Sequence, residues 1–457
     1  MKRISTLLLS ASLITVLGAC QKDNSTTSTS ENKEIQTEDV AKDATIIRGK
    51  GEPRLMSTFP MIPLNQGKAT IKVKVKDLNK SETFSAAVFQ HLEGTGSTTS
   101  IASVSGKGDF SQSESFNVPS EGNYDVNISG YKISPDFKGD WEVSIEQKPK
   151  KEKGYDKQLR LTNITQQIGG EFDSSTAPKD EYKKDAGYGA AMSNFTILDK
   201  NSISFQTLKD GKFVITEMKN GKWTKVEKDT GKTQSYIDEA REKYSDFDYI
   251  STISTNKGAG VLVSYGGKHY IVFENLNAAP EEVKITGELA NLLLSKDEKD
   301  VYWNFDNKMV YTIVTDYRSD EKNKWLMHRY DLNKQKFIAD ANGSQTTSMP
   351  FGHTSERMRF ANDKKGNLYI ASLPENATNG SESYSVTVAT FNKDMKMLAK
   401  PTRVSAIYDY FDKGRFEIAA TDKGLDIWNV YDARVVNGNS YAEPLKVGVN
   451  RFSLTLQ

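Results

Sequence analysis

Arg357-Met-Arg-Phe-Ala-Asn-Asp-Lys-Lys-Gly-Asn-Leu-Tyr-Ile-Ala-Ser372 reads as two short strands around one tight turn. Met358 and Phe360 alternate with arginines, so the first strand has an apolar face and a wet one. Asp363 to Asn367 supplies the turn, with Gly366 where a positive φ is expected. Leu368 and Ile370 open the second strand. Units of this kind recur through the last two thirds of the chain, at roughly the 40 to 50 residues that one propeller blade occupies. Five are legible: Met192 to Glu227, Ile250 to Ile285, Leu292 to Asp340, Arg357 to Ala399 and Val404 to Val447. Asp210-Gly211 and Asn220-Gly221 in the first, and Gly266-Gly267 in the second, are hairpin turns. The terminal run Arg451 to Leu456 alternates Phe452, Leu454 and Leu456, which suits a strand that pairs with an early one and closes a ring. With Leu159 to Ile164 this tail raises the expected count to six blades, with seven as the alternative.

Asp363 to Ile370 resembles the turn and strand of six-bladed propellers of the NHL and TolB-like kind. Tyr330-Asp331-Leu332-Asn333-Lys334-Gln335-Lys336 resembles their outer hairpin, and Phe391 to Lys396 echoes it one unit later. Thr421 to Trp428 is similar to the Asp-box of sialidase-like propellers, but Trp428 falls one residue late, and a structural turn is expected there. Two helical pieces interrupt the strands. Ser235 to Tyr244 carries Tyr236, Ala240 and Tyr244 on one stripe, and Gly287 to Leu294 is short and apolar; both are expected to pack against the disc.

Upstream, Ala69, Ile71, Val73 and Val75 alternate with lysines. Thr83 to Leu92, Phe116 to Val118, Tyr124 to Ser129 and Asp140 to Glu146 continue the pattern. Short strands at this spacing predict a β-sandwich over 49–150. Gly122 to Gly130 resembles a strand of small extracellular sandwich modules, some of which bind carbohydrate while others act as spacers. Trp141 is expected in the core rather than as a sugar platform. The basic run Lys150, Lys151 and Lys153 reads as the boundary before a propeller over 151–457. The expected fold class is therefore all-β: an N-terminal β-sandwich followed by a β-propeller of about six blades.

Lys2 and Arg3 precede an 11-residue apolar run, Leu7 to Leu17, which is too short to span a bilayer. Leu17-Gly18-Ala19-Cys20 follows and resembles the bacterial lipoprotein signal. That resemblance implies removal of residues 1–20's leader portion and acylation of Cys20, each buried CH₂ contributing about 0.8 kcal/mol to anchoring. Gln21-Lys22-Asp23-Asn24 is similar to the surface-export signal of Bacteroidota lipoproteins, with Asn24 where a second acid is common. A periplasm-facing anchor is the alternative to the cell surface. Residues 21–48 are polar and read as a tether with a reach of roughly 25 Å.

The 457 residues carry 61 Lys and Arg against 60 Asp and Glu, a net charge of +1 that gives no general pull toward nucleic acid. Cys20 is the single cysteine, so no internal disulfide forms. The four histidines, His91, His269, His328 and His353, are far apart in sequence and form no local metal motif. No phosphate loop, nucleophile elbow or zinc-protease motif is present, and no cofactor is expected. Trp303, Tyr317, Tyr408 and Tyr410, together with His353, are the candidate binding-surface residues, because exposed aromatics in propeller loops stack on flat ligands or anchor partners. The expected function is a monomeric, outer-membrane-anchored binding lipoprotein, non-enzymatic, serving an extracellular ligand or a TonB-dependent transporter. The alternative is a glycan-active hydrolase or lyase with two carboxylates and an arginine in the central pocket.

Overall fold

The computed structural model describes residues 43–457 apart from 52–57, 93–96, 135–136, 149–151, 172–194, 200–201, 210–211, 220–221, 228–240, 256–257, 274–280, 296–298, 317–323, 341, 351–354, 375–384, 408–415, 433–435, 438–439 and 442–445. The described chain is almost entirely strand. Eight strands form the sandwich: β1 (Ala44–Lys50), β2 (Thr58–Leu64), β3 (Gly67–Val75), β4 (Thr83–Leu92), β5 (Ser97–Lys107), β6 (Phe110–Val118), β7 (Gly122–Tyr131) and β8 (Asp140–Glu146). They lie in two layers, β1-β8-β3-β6 and β2-β7-β4-β5. The lysine alternation in β3 works as expected: Ala69, Ile71, Val73 and Val75 are buried while Lys72 and Lys74 point outward. Trp141 is core, 2 % exposed, with its Nε1–H donated to the Gly51 carbonyl at 3.0 Å. Its ring lies where a Cβ on Gly49 would sit 2.0 Å away, which is why that position is glycine.

After β9 (Leu159–Glu171) come five blades in chain order, the last of them completed by β9. Blade one is β10 (Phe195–Asp199), β11 (Ser202–Lys209), β12 (Lys212–Lys219) and β13 (Lys222–Glu227). Blade two is β14 (Asp248–Thr255), β15 (Gly258–Tyr265), β16 (Lys268–Phe273) and β17 (Glu281–Ile285). Blade three is β18 (Lys299–Asn304), β19 (Met309–Asp316), β20 (Lys324–Asp331) and β21 (Lys336–Phe337), with β22 (Thr346–Ser348) also on β20. Blade four is β23 (Ser355–Asn362), β24 (Leu368–Pro374), β25 (Ser385–Phe391) and β26 (Met397–Ile407). Blade five is β27 (Phe416–Ala420), β28 (Gly424–Asp432), β31 (Lys446–Leu456) and, outermost, β9 itself; a small hairpin, β29 (Val436–Asn437) with β30 (Ser440–Tyr441), lies between β28 and β31.

Five blades are therefore present among the described residues. The two segments expected to supply a sixth, Leu159 to Ile164 and the tail, pair with each other and complete the fifth. This is the closure that the alternating tail implied, with the first propeller strand locking onto the last.

The opening turn recurs as a device. Asp363 Oδ1 accepts from the N–H groups of Lys365 and Asn367, both at 2.9 Å, and Gly366 sits at φ +82. Asn392 does the same for Asp394 and Lys396, Asp331 for Asn333 and Lys334, and Asn304 for Asp306 and Asn307. Thr421 Oγ1 receives Lys423 and Gly424. A short polar side chain at the first turn position replaces the missing ladder bonds. By strand alternation all five turns lie on one rim of the disc. The opposite rim is where one blade hands over to the next.

Blades pack face to face. Blades two and three share a core of Leu262, Ile271, Phe273, Val301, Trp303 and Val310, closed by Leu289, Ala290 and Leu293 of the helix Gly287–Leu293. Tyr302 stacks on Phe360 at 5.1 Å between blades three and four. Tyr244, which follows the short helical stretch 241–243, stacks on Tyr265 at 4.9 Å; Tyr236 and Ala240 of the expected stripe lie outside the described residues.

Between blades four and five the core is larger, because it does not stop at the disc edge. β1 pairs in parallel with β9, and β2 pairs antiparallel with β26, so each sandwich layer is the outward continuation of a blade. One apolar cluster runs from Tyr369, Val388, Phe416 and Phe452 through Ile164 and Ile47 to Val73, Phe84 and Val126. The tether expected to reach Arg48 is corrected here: Ala44–Lys50 is a strand flanked on both sides, because Ile46 and Ile47 find apolar neighbours that the local sequence does not reveal.

Candidate functional site

The expected acylation site Cys20 and, of the candidate binding-surface residues, Tyr317, His353, Tyr408 and Tyr410 lie outside the described residues. Trp303 is described, and its expectation is corrected. It is 3 % exposed, with its ring 5.3 Å from Phe273 and 6.3 Å from Phe305. The even alternation of β18 sends it into the interblade core, where a large aromatic contributes packing rather than recognition.

The polar chemistry among the described residues gathers on the far face of blade five. On β28, Leu425, Ile427 and Asn429 point into the shared core, so Asp426 and Trp428 point the other way. Register carries the pattern outward: Trp428 is opposite Arg451 and then Thr165, and Asp426 is opposite Ser453 and then Asn163. This face turns toward blade one, whose inner strand β10 runs beside β27 and whose outer strand β13 runs beside β9. Asp426, Arg451, Ser453, Asn163 and Thr165 are all half-buried, unlike the fully buried apolar side chains that blade faces use elsewhere in this disc.

The electrostatics of this face are unusual for a propeller seam. Burial pushes the Asp426 carboxyl above the usual carboxylate range, against the opposing pull of the Ser453 hydrogen bond and the Arg451 charge. Arg451 lies over the Trp428 ring, 5.6 Å from its centre. Asn163 Nδ2 donates to Thr165 Oγ1 at 3.0 Å, but its Oδ1 is buried without a hydrogen-bond partner, and so is Trp428 Nε1. Unmet polar atoms gathered on one face are a pattern that folded proteins avoid, since each costs about 1–3 kcal/mol. At the inner edge, Glu417 is opposite Trp428 and its Oε1 accepts from Arg359 Nε of blade four at 2.7 Å. Glu417 and Asp426 are thus diagonal neighbours on one face, a spacing of about 7–8 Å at the backbone.

Sequence reading reached Asp426 and Trp428 only as part of a turn, and Arg451 and Ser453 only as the wet side of the closing strand. The signal it lacked is tertiary: β9, β31 and β28 must be laid side by side before Asn163, Ser453 and Asp426 fall in one row. Among the described residues no group of three or more His, Cys, Asp and Glu is placed to hold a metal ion. No described helix is long and apolar enough to cross a membrane.

No protein-family model matches the chain, and no curated protein does. Solved structures give distant likenesses. The catalytic domain of a GH62 α-L-arabinofuranosidase from Coprinopsis cinerea is 8 % identical, with a TM-score of 0.27 over 56 % of this chain and 89 % of that one. A subtype N11 neuraminidase-like protein of an influenza virus from a flat-faced bat is 10 % identical, with a TM-score of 0.23 over 55 % and 71 %. The WD40 domain of SCAP from fission yeast is 7 % identical, with a TM-score of 0.21 over 68 % and 66 %. Likeness at these scores carries no argument about activity.

Proposed function

We propose that this chain is a lipid-anchored binding protein of the outer membrane, held on the cell surface by acylated Cys20 and the polar segment that follows it. It captures an extracellular ligand for a neighbouring partner, of which a TonB-dependent transporter is the class that the export signal suggests. The observation that supports capture is the half-buried polar face of blade five, where Trp428 Nε1 and Asn163 Oδ1 are left without partners beside Asp426, Arg451 and Ser453. That mixture of an indole N–H, an amide oxygen, a hydroxyl and a carboxyl is complementary to the hydroxyl groups of a neutral glycan.

A second reading, a glycan-active hydrolase, is favoured by the Glu417 and Asp426 pair on one face with Arg359 and Arg451 beside them. Two carboxylates about 5–9.5 Å apart are what glycoside hydrolysis requires. The ion pair with Arg359 argues for Glu417 as a structural link between blades, and binding without turnover is the reading adopted. The test is a panel of neutral oligosaccharides titrated into the full chain, followed by Trp fluorescence and by product analysis. Saturable binding that Trp428→Phe abolishes, with the oligosaccharide recovered intact, is the expected result. Release of shorter products by the wild type but not by Asp426→Asn would overturn it in favour of the hydrolase. Acylation at Cys20 is tested separately, by loss of membrane attachment in Cys20→Ser.

A further inference from the structure

Trp428 is 3 % exposed, and its Nε1 and the Oδ1 of Asn163 are buried, so a ligand reaches these atoms only if the surface beside them moves. Strand pairing shows which element is free to do so. Blades four and five each continue into a layer of the sandwich. Blades two and three are joined at the centre of the disc by a parallel pairing of β14 with β18, Ser254 opposite Tyr302 and Thr255 opposite Trp303. Blades three and four share a buried core that includes Ile313, Met327, Phe360 and Ile370. The four strands of blade one pair only with one another. In the inner ring β14 runs beside β18, β18 beside β23, β23 beside β27 and β27 beside β10, while β10 and β14 make the slightest junction of the five.

Blade one is therefore held by face contact rather than by a shared ladder. On one side it meets the polar, half-buried face of blade five. On the other it meets blade two, where Leu262 and Ile271 pack toward blade three and alternation turns Val263, Tyr265 and Val272 the opposite way. Tyr244, Phe247, Val261 and Tyr270 surround those three and are half-buried, with Tyr270 stacked on Tyr265 at 4.6 Å. We infer that blade one moves as a unit, parting from blade five to admit ligand to Trp428 and Asn163 and closing over it. Openings of this kind involve one cooperative piece of a fold and cost less than unfolding the whole. The inference deepens the binding role proposed above and rests on that reading for what enters; the opening itself follows from the pairing of the strands.

The test is hydrogen exchange of the indole N–H groups, followed by NMR in the full chain carrying Cys20→Ser, across a series of low urea concentrations. Trp325, 1 % exposed in the core between blades three and four, is the reference for global unfolding. The Trp428 indole should exchange about tenfold or more faster than that of Trp325 and depend less on urea, as an opening smaller than unfolding requires. Tyr270→Ser alters only blade two, across blade one from Trp428, and should speed Trp428 exchange up to about tenfold without steepening its urea dependence. Phe247→Ser replaces it should that variant misfold. A Trp428 rate that tracks Trp325 in urea overturns the inference. So does a Trp428 rate that neither substitution moves, which would mark fraying within blade five. If a neutral oligosaccharide binds while Trp428 tracks Trp325, the ligand site stands and the movement is refuted; fast, Tyr270-sensitive exchange with no oligosaccharide bound refutes the ligand site and leaves the movement standing.

Discussion

Truncating Ile47 to alanine tests whether the sandwich and the propeller are one folding unit. Ile47 is fully buried in β1, opposite Val143 on β8 and Ile164 on β9, both of which are also fully buried. It therefore sits where the sandwich layer and blade five meet. Truncation of a buried isoleucine costs about 2–5 kcal/mol, more where the surroundings cannot relax into the cavity. Here relaxation is restrained, because β1 is held in register by seven residue pairs with β8 and three with β9. The upper half of that range, about 3.5–5 kcal/mol, is expected. Urea unfolding followed by Trp fluorescence and near-UV circular dichroism measures it. Because one apolar cluster spans both regions, both probes should move together and remain a single transition. The same truncation at Ile35, in the proposed tether, should leave the midpoint unchanged. A loss at Ile47 below about 0.5 kcal/mol, which is the scale of an ordinary surface substitution, would refute the fused core. So would a transition that splits, with the blade tryptophans Trp325 and Trp428 holding to the original midpoint.

Three further substitutions probe single devices. Glu82 accepts from the N–H groups of Ser134 and Asn79, at 2.8 and 3.0 Å, and these bonds, that of Ser134 foremost, hold its carboxyl below the usual range. Its contribution is present above the unfolded carboxylate value and is lost as pH falls through the lower folded value, so the melting-point deficit of Glu82→Gln should be full at neutrality and vanish in acid. Arg329, 7 % exposed, donates to the carbonyls of Ala339 and of Lys393 on blade four. Arg329→Met strands two acceptors at a blade seam and should cost about 2–4 kcal/mol in urea unfolding; a neutral result would show that these carbonyls find water. Asp426 shifts upward, so its stabilising effect is greatest in acid and declines as pH rises from the unfolded to the folded value. Asp426→Asn should therefore gain on the wild type in melting point as pH rises toward neutrality while losing glycan binding, and a variant that loses both stability and binding would mark Asp426 as merely structural.

Much of the disc was legible because its signals are local. Asp363, Asn392, Asp331 and Asn304 announce their turns within five residues, and Met358 and Phe360 announce their face by alternation alone. Trp141 was legible as core for the same reason, since it begins a strand whose inward positions are all apolar. β1 was not, because Ile46 and Ile47 are a lone apolar pair in a polar stretch, and only β8 and β9, about a hundred residues downstream, make them interior. The polar face of blade five was hidden for a related reason. Asn163, Asp426 and Ser453 are each unremarkable in their own strands and become a row only through pairing between the first propeller strand and the last. Trp303 misled in the opposite direction, as an aromatic next to a turn that alternation assigns to the core.

The attachment of the sandwich follows from the lengths of the blade edges. The outer strands of blades one, two and three are short, 6 residues in β13, 5 in β17 and 2 in β21, and all three are charged, so they need no cover. The outer strands of blades four and five are long, 11 residues in β26 and 13 in β9. Left bare, these two would be the longest outer blade edges among the described residues. β2 and β1 occupy them, and each brings the rest of a sheet with it, so the two layers of the sandwich are set apart by the splay of two neighbouring blades, and their inner faces close over the core that those blades began. The covering does not abolish the edge; it moves it. At the far end of one layer lies β6, whose exposed run is broken by Glu114, and at the far end of the other lies β5, whose run is not broken at all.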